Sequence, residues 1–202
     1  MTGALGTGPL FAALPPGHPV LDENEALKLY SAAEVIDGDG PYPPNDNGST
    51  GPSVAKAAED EGLIAGFTHY VDLDSTLQAL MNGAVILGVN WYDSFDTPDP
   101  DGLVSITPDA YVRGGHEIVA REVDASRQLI GLDNSWGTSF GVNGSFWMSY
   151  ATLERLLSEN GDCTAPEPLK VTPPVPPVPV PVPPKPDWWE LFVQWIENFF
   201  SE

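Results

Sequence analysis

Residues 114–150, GGHEIVAREVDASRQLIGLDNSWGTSFGVNGSFWMSY, admit few folds. The stretch is rich in β-branched and aromatic residues and is broken by glycines and one short polar turn, the pattern of consecutive short strands. His116, Ile118 and Ala120 alternate with Glu117, Val119 and Arg121, a period that suits a half-buried strand. The turn Asp124-Ala125-Ser126-Arg127 lets residues 128–132 pair back onto that strand. Asn134 follows at the end of the second strand, 18 positions after His116. A hairpin of this length is predicted to bring the two side chains within hydrogen-bond reach. An amide carbonyl holding one ring nitrogen sets the imidazole tautomer and aims the other nitrogen at a nucleophile.

The Gly115-His116 pair, the run Asn134-Ser135-Trp136-Gly137 and the glycine-punctuated return strand resemble the C-terminal half of papain-like cysteine peptidases. The resemblance is most specific over 114–150 and extends more weakly back to about residue 25. It implies an α+β fold of the papain-like kind, N-terminally truncated, with a β-rich half-barrel carrying the His/Asn pair. It also implies that His116 is general base and acid, that Asn134 orients it, and that the Trp136 indole shields their hydrogen bond from water. Gly115, Ser135 and Gly137 would support the pair. On the residues alone, a β hairpin with an ordinary buried histidine and an Asn-Ser turn stands as the alternative.

The chain also departs from that family. The family's nucleophile is a cysteine near the start of the mature domain, at the head of a long helix, with a glutamine for the oxyanion a few residues earlier. Neither is found here: the one cysteine is Cys163, beyond the return strand and just ahead of a proline-rich tail. Glu159, Asp162 and Glu167 around it would work against a thiolate. Cys163 is therefore expected to be an incidental thiol, and the chain to hold a base without its nucleophile. Residues 1–14 are small and apolar, like the later turns of a tightly packed helix that stops at Pro15-Pro16. The expectation is that Met1 is internal to a longer product with the cysteine a few residues upstream; the other reading is a native start with a loose N-terminal arm.

Between these ends, a helix is predicted over 24–36 with Asp22 as N-cap, then a Gly/Pro/Asn/Asp-rich loop, and a short helix over 53–61 stopped by Gly62. A strand over 63–71, a helix over 75–81 capped by Asp74 or Ser75, and a buried strand over 84–91 follow. The aspartates 37, 39 and 46, and again 96, 99 and 101, read as turn residues rather than cation ligands, because no glutamate or histidine completes either group. His18 and His69 have no ligand neighbour at useful spacing and read as surface or packing residues. Neither metal nor cofactor is expected.

With 29 acidic and 8 basic residues in 202, the net charge of -21 argues against nucleic acid and against an anionic membrane as partners. It fits a soluble surface, or a preference for cationic partners. No signal-peptide pattern opens the chain, and no apolar run reaches the roughly 18 residues of a spanning helix, so the compartment stays unknown.

The domain organisation reads as a peptidase-like domain over 1–165, a proline-rich linker over 166–186 and an amphipathic aromatic helix over 187–202. Alternating prolines over 171–186 impose an extended spacer, roughly 50 Å long at about 3.1 Å per residue. The aromatic helix is too apolar to float free, so a protein partner or self-association is expected through it, with membrane contact disfavoured by its lack of Lys and Arg. Function is expected to be peptide-bond hydrolysis by a Cys/His/Asn mechanism on a peptide or protein substrate, with the chain as written inactive. The alternative is a non-catalytic peptide- or partner-binding module docked through its C-terminal helix.

Overall fold

A computed structural model of the chain describes residues 1–6 and 8–170. Most of the proline-rich linker (171–186) and the aromatic helix expected over 187–202 lie outside the described residues. The described part is a mixed α+β fold around one seven-stranded sheet.

Two short helices open the chain, α1 (Thr2–Leu5) and α2 (Gly8–Ala13), where the sequence suggested the tail of one. Helix α3 (Glu23–Asp37) starts as expected: the Asp22 carboxylate accepts from the amides of Asn24 and Glu25. Helix α4 (Gly51–Asp60) begins two residues earlier than the pattern suggested, because Thr50 caps it and Pro52 sits in its first turn. Strand β1 (Gly66–Tyr70) leads to α5 (Leu73–Asn82). Its N-cap is Asp72, accepting from Ser75 N–H at 2.8 Å, and not Asp74 or Ser75, which lie inside the helix.

Strand β2 (Val85–Tyr92) is followed by a 3-10 turn (Asp93–Phe95) and by β3 (Leu103–Val104). Then come β4 (Val112–Asp124), β5 (Leu129–Asp133), β6 (Ser145–Ser149), α6 (Tyr150–Ser158) and β7 (Asp162–Glu167). The strand order is β1-β7-β2-β4-β5-β6-β3, antiparallel except for β3 beside β6. The β4–β5 hairpin forms at the turn read from the sequence, with Asp124 accepting from the Ser126 and Arg127 amides.

Both faces of the sheet's centre are covered, which explains the unbroken apolar run of β2. Val85, Leu87, Val89 and Trp91 join one core with residues of α5 and α6. Ala84 and Ile86 join a second core with residues of α1 to α4. The same layering corrects the reading of β4. His116, Ile118 and Ala120 do face inward, but Val119 packs against the second core rather than standing in solvent.

Strand β7 was not foreseen. It lies between β1 and β2, and its pairing with β1 runs to Glu167, two residues past the end at 165 drawn from the sequence. Cys163, expected as an incidental thiol just ahead of the tail, is a free cysteine fully buried in the core opposite Leu87. No helix among the described residues is long and apolar enough to cross a membrane.

Candidate active site

The hairpin and the return loop place His116 and Asn134 side by side. Asn134 ends β5, and its amide N–H donates to the Gly144 carbonyl at 2.9 Å, which pins the residue to the start of the return. Its Oδ1 lies 3.0 Å from His116 Nε2. The same oxygen accepts from the Ser135 amide at 2.8 Å, a contact that only an oxygen can make. Nε2 must then carry the proton and donate to Asn134, which leaves Nδ1 of the neutral ring as the basic atom.

Trp136, 43% exposed, lies with its ring centroid 5.3 Å from the imidazole. A second indole, not singled out from the sequence, supports the pair more fully. Trp91 is buried at the end of β2, 4.8 Å edge-on from His116 and 5.0 Å from Trp136. Its Nε1 donates to Asp96 at 2.9 Å, and Phe140 and Phe146 complete the ring cluster. Asp96, which also pairs with Arg113, thus anchors an indole.

Gly115 faces Asn90 across β2–β4, and Ser135 serves through its amide. Gly137 adopts φ +83°, a left-handed turn that favours glycine, and its carbonyl accepts from the Phe140 amide.

His116 borders a cavity of about 850 Å³ between the sheet and α3, α4 and the loop that joins them. Gly115, Glu117, Gly88, Asn90 and Asp162 line it from the strands and β7's approach, Thr50 and Val54 from the helical side, and Met1 from the chain start. Tyr30 helps shape that wall: its hydroxyl lies 2.6 Å from a carboxylate oxygen of both Asp46 and Glu34, which share its one proton, and it accepts from the Gly48 amide. Asp37 accepts from Ser49 and Ser53. These carboxylates hold the loop together, as turn residues would.

Glu117 is the unexpected group. It keeps surface open to the cavity, yet protein crowds it elsewhere. Burial, then the nearby Asp162 charge, push its carboxyl up to about 7, against a Gly51 amide and the Met1 amine that favour the ionised form. The Met1 amine is itself lowered by burial, while Glu117 acts to raise it. Cys163 contrasts with a reactive thiol: burial, aided by Asp162 and Asp72, pushes it up to about 12. Of the three carboxylates blamed from the sequence only Asp162 contributes, because Glu159 turns to Arg155 and Tyr92, and Glu167 to Thr68. His69, read as isolated, holds Asp162 Oδ2 at 2.6 Å. His18 Nδ1 lies 2.6 Å from the Pro19 carbonyl.

The raised Glu117 pKa has a testable sign. Below the ordinary value of 4.5 both folded and unfolded chains carry the proton, and nothing is lost. As pH climbs towards 7 the unfolded chain releases it while the folded one keeps it, so stability falls across that window and stays lower above it. The full shift would be worth about 3 kcal/mol, but cavity water screens the group, and about 1–2 kcal/mol is the expected size. Glu117→Gln should match the parent in urea unfolding at pH 4 and exceed it by that amount at pH 8. An equal difference at both pH values would show that the carboxyl is not perturbed.

No family model and no curated protein sequence matches the chain. Among solved structures it is similar to xylellain, a cysteine protease from Xylella fastidiosa, at 20% identity and TM-score 0.45, over 53% of this chain and 41% of that one. It is also similar to the bromelain protease from Ananas comosus at 17% identity and TM-score 0.39, over 53% of this chain and 51% of that one. Digestive procathepsin L2 proteinase from Tenebrio molitor overlaps 52% of this chain and 34% of its own at 19% identity and TM-score 0.35. These neighbours are papain-like cysteine proteases, and the chain spans about half of their length or less.

Proposed function

We propose that this chain carries the general-base half of a papain-like cysteine peptidase, acting on peptide bonds once a thiol is placed beside His116. The observation that supports the reading is the 3.0 Å bond from His116 Nε2–H to Asn134 Oδ1 at the edge of a peptide-sized cavity. In the reaction, Nδ1 takes the thiol proton and the thiolate adds to the scissile carbonyl. The imidazolium then gives its proton to the leaving amine. Water, deprotonated by the same nitrogen, cleaves the thioester and returns the free thiol. Throughout, Asn134 keeps the ring in one tautomer and one orientation, and the two indoles limit access of water to that bond.

Cys163 does not fit the nucleophile's part. It is fully buried in the core, and its thiol is held far from ionisation. The thiol therefore has to come from outside these residues, either from sequence ahead of Met1 or from a partner chain. That same fact favours a second reading, a peptide-binding module that has the cavity and performs no chemistry.

Labelling with an iodoacetamide or epoxide probe, together with hydrolysis of a fluorogenic peptide pool, separates the two. The 202-residue chain is expected to resist labelling while folded and to release no product. A form extended upstream through an in-frame cysteine is expected to label rapidly at that cysteine and to hydrolyse peptides. Failure of the extended form to label or turn over would leave the binding module.

A further inference from the structure

Glu117, Gly88 and Asp162 stand in one row across three strands, with Gly88 paired to Glu117 on one side and to Asp162 on the other. Residues in one row share a face of the sheet, so two acids flank a position that has no side chain. Both lean over the gap. A Cβ on residue 88 would lie 2.7 Å from Glu117 Oε1 and 2.5 Å from Asp162 Oδ1. The result is a notch in the cavity floor, walled by two carboxylates and open above a glycine. His69 fixes Asp162 by Oδ2, while Oδ1 accepts from the Gly88 amide at 3.2 Å and lies at the notch.

No lysine or arginine lines this cavity among the described residues, whereas Asp37 and Asp39 add to its negative lining. Two carboxylates held together with no lysine or arginine beside them are an unfavourable arrangement, and burial first, then the Asp162 charge, raise Glu117. Two residues along β7, on the same face, Thr164 is fully buried with its hydroxyl unpartnered. It borders the Gly51 position that also touches Glu117: a Cβ there would lie 2.6 Å from Thr164 Oγ1 and 3.5 Å from Glu117 Oε2. A spare polar group thus sits near Gly51, on the Glu117 side of the pair. The Met1 amine lies close enough for Glu117 to favour its charged form, although burial, the larger effect, disfavours it. In a chain extended ahead of Met1 that amine becomes a neutral amide, and the two acids remain.

We propose that the notch formed by Glu117, Gly88 and Asp162 is a subsite for a cationic side chain, lysine or arginine, of a peptide lying in the cavity beside His116. The proposal rests on the peptide-handling reading above, though not on turnover. It gives the chain a substrate preference that its overall acidity alone would not confer with any geometry. A guanidinium or ammonium placed over Gly88 meets both carboxylates at once, and its binding favours the ionised form of each.

Calorimetric titration of the 202-residue chain with acetylated, amidated tetrapeptides tests this without requiring catalysis. The peptides place one Arg, Lys, Leu or Glu at each position in turn on an alanine background. At one position Arg and Lys are expected to bind at least about tenfold tighter than Leu, in about 0.3 M salt, where diffuse attraction by the net charge is screened. Glu117→Gln and Asp162→Asn should each remove about tenfold of the Arg affinity and leave Leu unchanged. Gly88→Ala, which fills the notch with a methyl and changes no charge, should do the same. Equal binding of all four residue types at every position, or a preference that survives all three variants, overturns the subsite. Peptide hydrolysis by an upstream-extended form is read separately: turnover without Arg or Lys preference would sink the subsite and keep the peptidase. Arg-selective binding with no turnover would keep the subsite and sink the peptidase.

Discussion

His116→Ala in a thiol-bearing, upstream-extended form is expected to lower kcat/KM for peptide hydrolysis by roughly 10³-fold or more, the upper part of the range for a lost general base. Thiolate formation and leaving-group protonation both run through Nδ1, so one substitution removes two steps. Asn134→Ala should cost less. A hydrogen bond to the imidazolium is worth about 1.5–3 kcal/mol, which is on the order of 10- to 100-fold in rate. The two losses should not add, because without the ring there is nothing left to orient. The double variant is thus expected to match His116→Ala alone. If Asn134→Ala retained full activity, or if its effect multiplied that of His116→Ala, the 3.0 Å bond would be structural rather than catalytic. Both variants keep the fold-determining residues of the hairpin, so circular dichroism and unfolding curves should stay close to the parent.

The pair was legible in the sequence because its geometry is local. One turn, one pairing register and one return loop join His116 to Asn134, and each has its own residue signature. What escaped is non-local. Gly88 and Asp162 meet across 74 residues of chain, and nothing near either one announces the other. Glu117 read as the outward position of a half-buried strand, since its alternation is correct. The helical layer that turns "outward" into a cavity wall depends on α3 and α4 folding across that face. Strand β7, Asp-Cys-Thr-Ala-Pro-Glu, has a proline and little apolar alternation of its own, so its state is set by the open edges of β1 and β2. The cap of α5 slipped because three candidates, Asp72, Asp74 and Ser75, lie within four residues, and only the observed start of the helix chooses among them. Trp91 looked like any aromatic at the end of an apolar strand.

Trp91 is where fold and site are most tightly coupled, and Trp91→Ala is the substitution expected to cost the most stability. The indole is 3% exposed and lies within 4.8–6.2 Å of the rings of Phe95, His116, Trp136, Phe140 and Phe146. Removing a buried tryptophan costs about 3–5 kcal/mol, which for a chain of this size lowers the melting temperature by about 10 °C or more. The cavity opens directly against the imidazole, so His116 loses one of its two indole neighbours and keeps Trp136. The ring should then sample orientations in which Nε2 leaves Asn134, and proton NMR of the hydrogen-bonded Nε2–H should report this as broadening or loss of the signal. Trp91→Phe keeps most of the packing and removes only the donor to Asp96, which retains Arg113. It should cost about 1–2 kcal/mol and leave the imidazole signal sharp. A Trp91→Ala variant that melts like the parent, or that melts low but keeps a sharp Nε2–H, would mean that Asn134 alone holds the ring and that the buried indole is packing for the sheet.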